Sequence, residues 1–80
     1  MTGIQLCKRL IKNHDYFKMQ FHDIQTKLDT EIISANIAEI LFDDNRIEFI
    51  NYDGICFTTD DTHIYEIWDH NREMNHILGL

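Results

Sequence analysis

Two sets of residues have the types and spacing to do chemistry: the paired carboxylates Asp43-Asp44 and Asp60-Asp61, and the series His63, Glu66, His70 and Glu73. Crowded carboxylates can hold a hard cation or split their pKa values and share acid–base work. On a helix, the histidine–glutamate series follows i, i+3, i+7, i+10 and offers imidazole and carboxylate ligands from one face. Neither set is joined by a nucleophile, a phosphate-cradling glycine loop or an oxyanion motif, and no second element supplies converging ligands. Turn chemistry and helix capping account for aspartates in pairs, and weak Glu–His pairs on a wet helix face account for the other series. The reading is therefore of a protein that is not an enzyme, with no catalytic residue, no assigned metal ligand and no cofactor.

The elements that position these residues follow from periodicity. Thr2 can cap a first helix from about Gly3 to Asn13, in which Ile4, Cys7, Leu10 and Ile11 form the apolar stripe and Lys8, Arg9 and Lys12 the wet side. From Tyr16, the alternation of Phe17, Met19 and Phe21 with Lys18, Gln20 and His22 has the period of a half-buried strand. Residues 23–30 read as a connection, and Glu31–Phe42 as a strand with an irregularity around Ala35-Asn36. Runs Ile37–Phe42, Arg46–Asn51 and Ile55–Thr58, separated by Asp43-Asp44-Asn45, Tyr52-Asp53-Gly54 and Thr59-Asp60-Asp61, predict a β-meander. Successive turns of a meander fall at opposite ends, so Asp43 and Asp44 should share an end with Asp60 and Asp61. Thr62–Trp68 is compatible with a last strand, but Ile64, Ile67, Trp68, Met74, Ile77 and Leu78 lie broadly on one helical stripe that Gly79 would stop, which favours a helix with Trp68 packed in the core. The predicted fold is one α+β domain over residues 1–80: an N-terminal helix, an antiparallel meander of three to four strands and a C-terminal helix.

Composition narrows the partners. The net charge is −7 over 80 residues, and the imbalance lies in the second half, where Arg46 and Arg72 face Asp and Glu at eleven positions. Such a field repels nucleic acid and anionic membranes and steers toward basic proteins. Cys7 and Cys56 lie in apolar patterns, which predicts buried free thiols, and the N-terminal stretch has no long apolar run, which predicts a cytoplasmic protein.

The run Ile11-Lys12-Asn13-His14-Asp15-Tyr16, after a short amphipathic helix and before a strand, resembles the opening of the small acidic phage anti-CRISPR proteins that inhibit the CRISPR DNA nuclease. With its flanking elements the similarity covers the first quarter of the chain. The resemblance implies a DNA mimic that occupies the nuclease's basic PAM-reading surface in the host cytoplasm, using an Asp-Tyr pair and an acidic hairpin tip. Carried over residue by residue, this reaches Asp15 and Tyr16, and more loosely Asp43, Asp44, Asn45 and Glu48. The hairpin here lacks that family's turn glycine, and Tyr52–Thr59 and the histidine-bearing C-terminus have no counterpart in it.

The expected function is a non-enzymatic inhibitor or interaction protein for a basic surface of a nucleic-acid-processing protein, contacting neither nucleic acid nor membrane directly. Its expected contacts are Asp15, Tyr16, Asp43, Asp44, Asn45, Glu48, Asp60 and Asp61, with Asp43, Asp44, Asp60 and Asp61 forming one acidic edge and Asp15 with Tyr16 lying near it. The alternatives are a metal-binding or metal-sensing protein built on the histidine–glutamate face, and an oligomeric adaptor paired through an edge strand or the Trp68 stripe.

Overall fold

A computed structural model describes residues 1–79. The first helix, α1, spans Gly3–Lys12 and opens on a reciprocal cap, in which Thr2 Oγ1 accepts the Gln5 amide and Gln5 Oε1 accepts the Thr2 amide. This arrangement satisfies two of the amides that every helix start leaves without partners. Ile4, Leu6, Cys7 and Leu10 are buried along one side, and Arg9 and Lys12 complement the dipole in the last turn.

Among the described residues seven strands follow: β1 (Phe17–His22), β2 (Asp29–Ile33), β3 (Ile37–Asp43), β4 (Arg46–Asn51), β5 (Cys56–Asp60), β6 (Ile64–Asp69) and β7 (Met74–Ile77). They form two antiparallel sheets, one ordered β2-β1-β6-β7 and one ordered β3-β4-β5. In β1 the alternation holds, with Phe17, Met19 and Phe21 buried and Lys18, Gln20 and His22 half-exposed. The meander is also present at the expected positions. Gly54 adopts φ 80 in its second turn, where Asn51 Oδ1 accepts the amides of Asp53 and Ile55.

The expected C-terminal helix is a hairpin instead, made of β6 and β7. The register explains the misleading stripe. Phe21 pairs with Ile64 but Gln20 pairs with Glu66, so Tyr65 is an extra residue, a β-bulge. The bulge turns Ile64 and Ile67 onto the same buried face three residues apart, which is the spacing of a helix. The Tyr65 carbonyl accepts the amides of both Leu78 and Gly79 and ties down the chain beyond β7. Trp68 is correspondingly half-buried on the outer face of the four-stranded sheet, beside Lys18, and is not in the core.

Glu31–Phe42 is also more than one strand. The irregularity at Ala35-Asn36 is a 3-10 turn, Ser34–Asn36, at which the chain leaves the first sheet as β2 and enters the second as β3. The chain crosses back through the turn between β5 and β6. Apolar residues from both sheets and from α1 meet between these crossings, with Phe21 and Phe49 rings 5.8 Å apart. Each fully buried ring stabilises the fold by roughly 1.5–3 kcal/mol over exposure.

Cys7 is in this core, and burial pushes its thiol up to about 12. Cys56, expected to be buried, is exposed on β5. Among the described residues no helix is long and apolar enough to cross a membrane.

The two sheets are joined by a buried carboxylate. Asp23 has no exposed surface, and it accepts hydrogen bonds from the Gln25 amide at 3.1 Å, the Thr26 hydroxyl at 3.0 Å and the Thr58 amide of β5 at 3.2 Å. The neighbouring Ile24 amide donates to the Thr58 carbonyl, so the 23–28 loop serves as an edge partner for β5.

Candidate functional site

In the three-stranded sheet the residues facing away from the core are set by register. Leu41, Glu48 and Thr58 lie in one cross-strand row, and Asp43, Arg46 and Asp60 in the next. Glu39 precedes Leu41 on the same side of β3 because side chains alternate. The opposite side carries Ile47 and Phe49, both fully buried. Asp44 and Asn45 form the exposed tip of the β3–β4 hairpin, where Asp44 takes φ 31, a conformation that aspartate tolerates better than most residues. Gln25, Leu41, Asp43, Arg46, Glu48 and Thr58 line a depression of about 260 Å³ on this face. The Thr58 hydroxyl is buried there without a hydrogen-bond partner among the described residues.

Asp43 and Asp60 thus flank Arg46 at one end of the sheet, as the meander implies, but the four aspartates are not equivalent. Asp60 accepts hydrogen bonds from the Thr62 amide at 3.0 Å and the Thr62 hydroxyl at 2.8 Å, and pairs with His63 Nδ1 at 2.6 Å. Burial works to raise its carboxyl, and the bonds from His63 and Thr62 outweigh burial and hold it below the ordinary carboxylate range. Asp61 Oδ1 accepts the Ile4 amide at 2.8 Å, serving as a long-range cap for α1. Asp61→Ala should therefore cost about 1 kcal/mol of stability. A thermal melt checks this, and an unchanged midpoint would show that the cap contributes nothing.

Asp15 is further removed. Its side chain is only 9% exposed and is held by Arg72 and Asn71 at the β6–β7 turn. The start of α1 is at Asp61 and its end is at Asp15, and the ten residues between rise about 15 Å. Asp15 and Tyr16 therefore do not join the acidic edge, although Tyr16 is exposed.

The carboxylates left without an internal partner among the described residues are Glu39, Asp43, Asp44, Glu48, Asp53 and Glu73. The first four share the outer face and tip of the three-stranded sheet. Sequence reasoning missed Glu39, which the period-two series Glu39, Leu41, Asp43 could have shown. It also missed Arg46, which neutralises part of this edge. The His63, Glu66, His70 and Glu73 face, on which the alternative metal-binding reading rested, is lost with the helix. His63 lies before β6, Glu66 within it, and His70 and Glu73 in the turn after it. Among the described residues no group of three or more His, Cys, Asp or Glu is placed to hold a metal ion.

Fold and face define a small α+β protein of two antiparallel sheets with an acidic outer surface on the smaller one. No protein-family model, curated protein or solved structure matches the chain.

Proposed function

We propose that the protein is a non-enzymatic inhibitor that presents the outer face of β3–β4 and the tip Asp43-Asp44-Asn45 to a basic, nucleic-acid-binding surface of another protein. The observation that carries this reading is the segregation of the carboxylates. Those of the four-stranded sheet and its turns are mostly consumed by internal hydrogen bonds, whereas Glu39, Asp43, Asp44 and Glu48 have no partner among the described residues and share one surface. Unpaired carboxylates in a sheet repel one another unless a cationic partner or solvent takes them up. A row of them on a rigid sheet can occupy positions that phosphates take on a basic surface. The resemblance of Ile11–Tyr16 to anti-CRISPR proteins makes a CRISPR DNA nuclease the partner to test first, with the host cytoplasm as the place of action.

Binding to a guide-loaded CRISPR DNA nuclease should weaken as salt rises, because the screening length is only about 10 Å at 0.1 M. Target DNA should compete for the same surface. Affinity indifferent to both salt and target DNA would overturn the proposal.

A further inference from the structure

Thr58 pairs in register with Glu48, so its side chain points, like those of Glu48 and Leu41, to the outer side of the three-stranded sheet. It is nevertheless only 7% exposed. The 23–28 loop borders it, through Asp23 on the Thr58 amide and the Ile24 amide on the Thr58 carbonyl. The next residue, Thr59, gives its hydroxyl to the His22 carbonyl at 3.1 Å, whereas the Thr58 hydroxyl has no partner among the described residues. A hydroxyl shut away from water and left unpaired costs stability, and a donor entering the depression would satisfy it.

The walls of that depression, about 260 Å³ in volume, are charged. Asp43 and Glu48 are diagonal neighbours across β3 and β4, with Cβ atoms roughly 7–8 Å apart or somewhat closer. Neither carboxylate has an ion pair among the described residues. Exposed Leu41 supplies an apolar wall. Gln25 at the rim is exposed and bonds through its backbone amide only, so its side chain can turn aside. A fitting group must offer N–H donors to two carboxylates and a hydroxyl oxygen, on an apolar stem that passes Leu41. A guanidinium does this, because its planar fork carries five donors along both edges and is weakly hydrated. An ammonium is a compact, strongly hydrated point charge and fits less well.

We propose that the depression is a socket for one arginine side chain of the partner. Asp43 and Glu48 grip the two edges of the guanidinium, the Thr58 hydroxyl accepts a hydrogen bond from it, and Leu41 packs on its methylenes. The socket rests on the function proposed above and narrows it from a basic surface to one residue type at one place. Arg46 lines the same depression without an ion pair among the described residues, and is the competing cation.

The test is titration of the full chain with N-acetyl-arginine amide, followed by the backbone amide resonances. Saturable shifts should centre on Glu48 and Thr58, and N-acetyl-lysine amide should bind at least about threefold more weakly. Thr58→Val, which keeps the shape and deletes the hydroxyl, should weaken the arginine probe at least about fivefold. Its thermal midpoint should stay or rise, because an unpaired buried hydroxyl is removed. Glu48→Gln should weaken the probe by a similar factor, and Arg46→Gln should strengthen it by removing the competing cation. Asp53→Asn, at the opposite end of the sheet, should bind as the parent does. Absence of saturable shifts in the parent, parent-like affinity in Thr58→Val, equal or tighter binding of the lysine probe, or weaker binding in Arg46→Gln would each overturn the socket. No nuclease is present in this titration, so the two readings fail separately. Nuclease binding without probe binding overturns the socket alone, and probe binding without nuclease binding upholds the socket and overturns that choice of partner.

Discussion

The triple variant Asp43→Lys, Asp44→Asn, Glu48→Lys should keep its fold and lose its partner. Asp43, Asp44 and Glu48 have no internal ion pair among the described residues, so removing their charges breaks nothing within the chain. Asparagine is chosen at Asp44 because it accepts the left-handed backbone, φ 31, that lysine would strain. Lysine at position 43 falls opposite Arg46, a like-charge cross-strand pair that costs less than about 1 kcal/mol on an exposed sheet. A buried carboxylate–cation contact at an interface is worth several kcal/mol when one partner is removed, and reversal adds repulsion. Each 1.4 kcal/mol is tenfold in affinity, so binding to the nuclease proposed above as partner should fall by at least about 100-fold. Parent-like binding by a folded triple variant would refute the acidic-face mechanism. Asp15→Asn provides the contrast, because its carboxylate serves Arg72 and Asn71, and its loss should show in the melt before it shows in binding.

The largest effect on stability should come from Asp23→Ala. Truncation strands the Thr58 amide, which lies on a residue only 7% exposed, and removes the acceptor for Gln25 and Thr26 together. A buried donor left unsatisfied costs about 1–3 kcal/mol, and the 23–28 loop then loses its hold on the edge of β5. The expected total is roughly 3–5 kcal/mol, comparable to breaking a buried charged contact. Small domains have about 5–15 kcal/mol in all, and 1 kcal/mol moves the midpoint by about 4–8 °C at this size. A fall of 10 °C or more in a thermal melt is expected. Asp23→Asn, which keeps one carbonyl oxygen to accept from the Thr58 amide, should fall between the two. A midpoint for Asp23→Ala within a degree of the parent would show that the loop does not clasp the sheets together.

The sequence by itself determined α1, β1 and the three meander strands with their turns, because each rests on local signals: the Thr2 cap, strict alternation in Phe17–His22, and Asp-Gly or Asp-Asn at the corners. It also determined that Asp43 and Asp60 share an end, since antiparallel register follows from turn order. Tertiary structure alone decided the rest. The Tyr65 bulge exists because β6 must pair with β1, and it shifted the buried residues into a helical spacing, which tipped the choice between strand and helix for Thr62–Trp68 the wrong way. The division of β2 from β3 depends on two sheets closing over one core, so it is visible in sequence only as a small irregular stretch. The roles of the carboxylates were likewise beyond local reading. Asp15, Asp23 and Asp61 are consumed by Arg72, Thr58 and Ile4, partners brought near only by the fold, while Asp43, Asp44 and Glu48 stay unpaired because the sheet turns them outward. Residue type fixes that a carboxylate needs a partner or solvent, and only the folded chain determines which it gets.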